Sequence, residues 1–311
     1  MDCDSYALEH FGGPVRNVSP QGCYSYTVTA AGGGTIVQFR DNASRLPNMT
    51  FSELIYNTHP ELVAIPTFIG IFGPESSSGL SVYCMNALPG IKFFNMFDTF
   101  SNSLEMQMAY AESLARYASV RHHIVAPFSD DRRFFAQAWL KPILEGEMLE
   151  RTKVEAEITD RLGELHRTLP DQFLPLVDHV LKNLHKLTAP SYPFVFTHGD
   201  FSEFNLLLLD EMSGAISGVV DWSEACILPF GFTLHGVEYG LGAMYTDGWT
   251  YCENASHVRE HFWATFKQIV QPTKDEVEAM KLARLAGILF RYGTRSGSHS
   301  GTVWSQRSRF E

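Results

Sequence analysis

Thr197-His-Gly-Asp-Phe-Ser-Glu-Phe-Asn205, followed by Ile216-Ser-Gly-Val-Val-Asp221-Trp222, is the stretch whose reading decides the fold. Phe194-Val-Phe-Thr197, Leu206 to Leu209 and Ile216 to Val220 each read as short strands, apolar runs bounded by Gly, Asp, Ser and Asn. The polar groups therefore stand at strand ends: Asp200 and Asn205 five residues apart in one tight loop, and Asp221 where the next strand stops. Such a layout converges three oxygen-bearing side chains on one point. Phosphoryl transfer from ATP needs that set, one carboxylate beside the attacking hydroxyl or amine and two hard oxygen ligands for a Mg²⁺ that bridges the phosphates.

Outward from this loop, the first 90 residues read as a small antiparallel sheet with one helix. Tyr24 to Thr29 and Thr35 to Arg40 flank a glycine-rich turn and predict a hairpin. A helix is predicted over about residues 50–56, then strands in the runs from Leu62 and from Leu80. From Ser103 the period becomes helical, with Leu104, Met108, Ala111, Leu114 and Tyr117 spaced by three and four. Two further helices are predicted, through Leu149 to Leu165 and through Phe173 to Leu184, broken at Pro170. Helices near 256–270 and 273–293 close the pattern, the second opened by Thr273-Lys-Asp-Glu276, which has the form of a capping box. The composition shift at Pro89-Gly90 sets the expected boundary between residues 1–88 and 89–311. The tail after Gly293, rich in Ser, Arg and Gly, reads as loosely ordered.

Composition limits the partners. With 311 residues, 45% hydrophobic and 19% charged, the chain can bury a large core. A net charge of -11 argues against nucleic acid and against an anionic membrane surface, both of which reward clustered Lys and Arg. Five cysteines without a C-x-x-C pair indicate neither a disulfide framework nor a zinc site. No stretch approaches the roughly 18 apolar residues of a membrane span, and the acidic start leads into no apolar h-region. The expectation is a cytoplasmic protein acting on a small molecule. Glu145, Glu147, Glu150, Glu155, Glu157, Asp247 and Glu253, in the helical part, permit a cationic substrate. The oligomeric state is not set by the sequence.

H-G-D-x-x-x-x-N followed by an apolar strand ending in Asp-Trp resembles the aminoglycoside phosphotransferase and choline kinase group, whose fold is similar to that of protein kinases. Phe134 to Trp139 and Val37 to Arg40 resemble fungal-type members. The resemblance implies an α+β, two-lobed, protein-kinase-like fold with a small β-rich nucleotide-binding lobe and a larger, mainly helical lobe. It implies a kinase that uses ATP and Mg²⁺. Carried over, Asp200 is the catalytic base or a substrate-orienting carboxylate, Asn205 and Asp221 are the metal ligands, and His198 and Gly199 shape the loop. The phosphate-covering turn falls on Gln21 to Tyr26, with Gly22 and Ser25 as its contacts. Arg40 stands where the family has a phosphate-binding Lys, and Glu53 is the nearest partner for it, with Glu61 a poorer one. The hinge falls on Val82 to Gly90, where backbone groups of Asn86 and Leu88 hold adenine and Asn86 replaces the usual Glu. These departures all lie on the nucleotide side, so the alternative is a kinase fold with a repurposed pocket. A protein kinase fits less well, because no A-P-E element or long activation loop follows Asp221.

Overall fold

The structure, a computed structural model, describes residues 2–22, 25–41, 49–73, 79–115, 134–144, 146 and 149–293. Tyr24, Tyr117, Glu145, Glu147 and the tail after Gly293, all named above, lie outside the described residues, as does Cys23 of the expected phosphate-covering turn.

The N-terminal region is a five-stranded antiparallel sheet in the order β1-β2-β3-β5-β4. Its strands are β1 (Arg16–Asn17), β2 (Ser25–Ala30), β3 (Thr35–Arg40), β4 (Thr67–Phe72) and β5 (Leu80–Asn86). The expected hairpin is β2–β3, with Ser25 opposite Arg40. A helix not foreseen, α1 (Cys3–Phe11), packs on β2 and β3. Asp2 caps it by accepting from the Ser5 amide at 2.8 Å. Ala7, Val28, Ala30, Val37, Phe39 and Val82 form a small separate core beneath it.

The second helix, α2 (Met49–Thr58), is where the periodicity placed it, but its apolar face joins the other core. Phe51 and Ile55 are buried with the C-terminal residues, and the Phe51 ring stands 5.1 Å from that of Phe196. Leu62 continues this anchoring by accepting from the Val219 amide at 2.7 Å.

The C-terminal region is mainly helical: α3 (Phe93–Ser101), α4 (Leu104–Ala115), α5 (Phe134–Leu140), α6 (Arg151–Thr168), α7 (Leu174–Asn183), α8 (Ala255–Val270) and α9 (Lys274–Tyr292). The α9 capping box forms as its sequence requires, with Thr273 and Glu276 bonded reciprocally. In α4 the buried face is Met106, Gln107, Tyr110, Ala111, Leu114 and Ala115, rotated from the expected stripe so that Leu104 is exposed. A polar residue sits in that face because Gln107 Nε2 donates to the Ser101 carbonyl at 2.9 Å.

Short strands carry the central loops. β6 (Ile91–Lys92), β8 (Leu206–Leu208) and β9 (Ile216–Val219) form one sheet, β7 (Phe194–Thr197) and β10 (Cys226–Pro229) another, and β11 (Gly242–Tyr245) with β12 (Gly248–Tyr251) a hairpin. Among the described residues no helix is long and apolar enough to cross a membrane.

Candidate active site

The site is built where β7 and β9 end and β8 begins. β7 is buried throughout and delivers the chain to His198, which is fully buried. Its Nε2 donates to the Val220 carbonyl at 2.8 Å, and its Nδ1 accepts from the Asp200 amide at 3.3 Å. That pattern fixes the neutral tautomer, and burial depresses the ring's pKa in the same sense. His198 thus stitches the loop carrying Asp200 to the strand end carrying Asp221. Gly199 lets the loop close: its φ is +80°, and a Cβ there would come within 2.0 Å of the Glu224 carbonyl oxygen.

Asn205 is fixed from the same side. Its Nδ2 donates to the Asp200 carbonyl at 2.8 Å and to Asp200 Oδ2 at 3.2 Å, which leaves the amide oxygen as its ligand end. The Val220 amide donates to the Asn205 carbonyl at 2.9 Å, so Asn205 and Asp221 are held on neighbouring chain ends. Asp221 adopts a left-handed conformation, φ 59° and ψ 61°. A non-glycine residue there costs on the order of 1–3 kcal/mol and is found where function requires it. Its Oδ1 is buried and accepts no hydrogen bond, and the guanidinium of Arg40 stands 3.6 Å away.

Arg40 links the two halves of the molecule. It ends β3, is only 2% exposed, and points its Nη1 at Asp221 and, at 3.5 Å, at Gln38 Oε1. The carboxylate beside it is Asp221, whereas Glu53 lies exposed on α2 and Glu61 follows that helix at φ 68°. Ser25 is the cross-strand partner of Arg40, and Gly22 bridges back to Ser25. Gln21 braces this turn, donating to the Thr27 carbonyl and accepting from its amide, both at 2.7 Å. Lys92 donates to the Ser19 carbonyl at 2.7 Å and so ties the approach to the turn to β6. Asn86 is exposed at the end of β5, Leu88 packs against Gly218, and the Ala87 amide between them bonds the Gly34 carbonyl at 3.0 Å.

The structure therefore brings Arg40, Asp200, Asn205 and Asp221 together and leaves Glu53 outside. It adds a residue that sequence reasoning missed. Arg291, in the last turn of α9, donates from Nη1 to Asp200 Oδ1. A basic residue at a helix C-terminus ordinarily serves the helix dipole, and nothing in the local pattern marks a contact 91 residues away. Burial opposes the Arg291 charge, but the Asp200 carboxylate holds the group more firmly protonated than usual. Nearby, Arg259 and Arg284 both clasp Glu238, at 2.7 and 2.6 Å. Phe204 of the loop faces Phe94 of α3, ring centroids 4.6 Å apart, and both are about half exposed.

The comparisons agree with this geometry. In fold, the chain is similar to aminoglycoside phosphotransferase APH(4)-Ia. A thermostable mutant of that enzyme in ternary complex with ADP and hygromycin B superposes with a TM-score of 0.52 at 16% identity, over 99% of this chain and 97% of that one. A second mutant, in complex with AMP-PNP and hygromycin B, gives 0.51 at 16% identity over 98% and 96%. No curated protein matches the sequence significantly. The model of the phosphotransferase enzyme family matches residues 25–234, from the first residue of β2 to beyond β10. This span covers more than half of the chain and includes Arg40, Asp200, Asn205 and Asp221, and the chain belongs to the phosphotransferase enzyme family.

Proposed function

We propose that the chain transfers the γ-phosphoryl group of ATP to a hydroxyl or amine of a small molecule, with Asp200 as the base, Asn205 and Asp221 as the metal ligands and Arg40 as the phosphate cation. The observation that carries this reading is the meeting of Arg40 and Asp221 across the two regions, beside a loop that fixes Asp200 against Asn205. Among the described residues no feature of the site favours a pocket reused for other chemistry.

Mg²⁺ fits the donor set. Asp221 Oδ1 is buried without a hydrogen-bond donor, and the Asn205 amide oxygen is the free end of its side chain, two hard oxygen ligands of the kind this ion takes. Among the described residues no group of three or more His, Cys, Asp and Glu is arranged to hold a metal alone, and Asn205 and Asp221 would hold the ion together with oxygen donors from outside the chain. When bound, the ion neutralises charge that develops on the phosphate oxygens.

The chain's own groups then divide the work. Arg40, buried and aimed at the same point as Asp221, offers two-pronged contact to the donor's phosphates. Gly22 and Ser25 contact them from the N-terminal sheet, and the backbone of Asn86 and Leu88 forms the adenine edge. These contacts place the nucleotide in the lobe of residues 1–88, against the catalytic lobe of 89–311. Asp200 accepts the acceptor's proton as the new O–P or N–P bond forms and the bond to ADP breaks. Of the carboxylates that permit a cationic acceptor, Asp247 and Glu253 lie at the β11–β12 hairpin and Glu150, Glu155 and Glu157 at α6, while the cation Arg291 stands at Asp200. Four described cysteines are free thiols, in keeping with a cytoplasmic enzyme using the ATP of that compartment.

Asp200→Asn tests the assignment. Its ATP affinity is expected to stay within about twofold, while ADP release with water as the acceptor falls by a factor of about 10² to 10⁴. Full turnover in this variant refutes the role given to Asp200.

A further inference from the structure

Lys92 ties the two regions of the molecule together on the nucleotide side, and the phosphotransfer reading leaves it without a task. It ends β6, and its Nζ donates to the Ser19 carbonyl at 2.7 Å and to the Pro20 carbonyl at 3.3 Å, 73 and 72 residues away in sequence. Gly22 and Ser25, the phosphate contacts of that reading, follow directly and bridge to each other. Within the N-terminal region the same stretch is already fastened to Thr27, through two bonds from Gln21 at 2.7 Å and one from the Val18 amide at 3.1 Å. The Lys92 bonds add what those cannot, the spacing of this stretch from the C-terminal region.

The base on which Lys92 stands is firm. β6 pairs with β8, Ile91 opposite Leu208 and Lys92 opposite Leu207. Ser217 of β9 donates from Oγ to the Pro89 carbonyl at 2.6 Å. Gly90 takes φ +126°, and a Cβ there would lie 2.2 Å from Ser217 Oγ and 2.4 Å from the Leu208 carbonyl oxygen, so the chain entering β6 lies directly on β8 and β9. These two strands also place the metal ligands of the phosphotransfer reading. Asn205 immediately precedes Leu206, the first residue of β8, and Asp221 stands two residues beyond Val219, the last of β9. One side chain therefore reaches from the sheet that fixes Asn205 and Asp221 to the backbone that leads into Gly22.

We infer that Lys92 is a positioning residue for phosphoryl transfer: by clasping the Ser19 and Pro20 carbonyls it sets the height of Gly22 and Ser25 over Asn205 and Asp221, and so the fit of the donor's phosphates between backbone and metal. The inference rests on the phosphotransfer reading and deepens it. An ammonium suits the task, since it offers three donors on a flexible stem and two of them are engaged by main-chain oxygens. Lys92 acts through the turn and touches no phosphate itself.

The test is calorimetric titration of the full chain with Mg-ATP and with adenosine, in the unaltered protein, Lys92→Met, Lys92→Arg, Gln21→Ala and the double variant Lys92→Met with Gln21→Ala. Methionine keeps the apolar stem and removes the donors. Lys92→Met is expected to weaken Mg-ATP binding by about tenfold, the worth of a charged hydrogen bond, and to leave adenosine within about twofold. Lys92→Arg is expected to recover part of the loss, because a guanidinium also donates to carbonyls. Lys92→Met and Gln21→Ala loosen the same stretch, so their combined loss is expected to be smaller than the product of the separate fold-losses. Unchanged Mg-ATP affinity in Lys92→Met, a proportionate loss of adenosine, or no recovery in Lys92→Arg overturns the inference. So do fully multiplicative losses in the double variant, which would mean that Lys92 meets the phosphates directly. Failure of the unaltered protein to bind Mg-ATP instead sinks the phosphotransfer reading beneath it.

Discussion

Replacing Gly199 by Ala separates the loop geometry from the chemistry of Asp200, because the change adds one methyl and no functional group. At φ +80° an L-residue is strained by about 1–2 kcal/mol. The larger effect is contact. The added Cβ would lie 2.0 Å from the Glu224 carbonyl oxygen and 2.7 Å from its carbon, well inside the roughly 3.5 Å of normal van der Waals separation. Both are backbone atoms, so no side chain can rotate away, and the loop or the turn at 222–225 must move by about 1 Å. Overpacking of this kind costs about 1–3 kcal/mol, giving a total destabilisation of about 2–5 kcal/mol. Asp200 is the next residue, and a displacement of about 1 Å at a reacting group costs on the order of 10²-fold in rate. Gly32 supplies the control: at φ 70° and ψ 17° it is left-handed, and a Cβ there meets nothing within 4 Å, so Gly32→Ala carries a torsional cost without a clash. Thermal unfolding and ADP release from Mg-ATP, measured on both variants, separate the two contributions. A Gly199→Ala protein as stable and as active as Gly32→Ala refutes the packing of this loop against Glu224.

Arg40→Ala is expected to weaken ATP binding by about ten- to a hundredfold, the worth of a charge-assisted bond to phosphate. Asn86→Ala is expected to change it by less than about twofold, since that side chain is exposed at the strand end. Equal losses by calorimetry contradict the placement of these two residues. The fold is also expected to lose stability on acidification. Burial pushes His59 down to about 3 and His235 down to about 4, and it lowers His198 as well. These folded-state values lie below the unfolded value near 6.5. The unfolded chain therefore binds more protons, and stability falls as pH drops from about 6.5 toward 4. At pH 5, His59 and His235 each account for about 2 kcal/mol. Urea midpoints that are flat between pH 7 and 5 contradict the burial of these rings as neutral groups.

What was legible in the sequence follows from range. The loop from Thr197 to Asn205 and the strand ending at Asp221 were readable because spacing and strand ends lie within about 30 residues, and the β2–β3 hairpin and the α9 capping box are equally local. Helix α3 was obscured by Phe93, Phe94, Phe97 and Phe100, residues as much at home in strands. The β11–β12 hairpin carried a signal, Asp247-Gly248 between short apolar runs, that is easily passed over in so short an element. The partner of Arg40 was not legible. Glu53 is the nearest acidic helix residue in sequence, but α2 turns its apolar face to the larger core, and the carboxylate at Arg40 arrives from residue 221. Arg291 was invisible for the same reason, since only the packed structure brings the last turn of α9 to the loop after β7.

The central claim, that Asn205 and Asp221 hold the metal of a phosphoryl-transfer site, is tested most directly by titrating ATP calorimetrically with and without Mg²⁺, in the unaltered protein and in Asp221→Asn. The account predicts that Mg²⁺ tightens ATP binding by about tenfold or more in the unaltered protein and that most of this gain disappears in the variant. Equal ATP affinity with and without Mg²⁺, or a gain that survives Asp221→Asn intact, contradicts it.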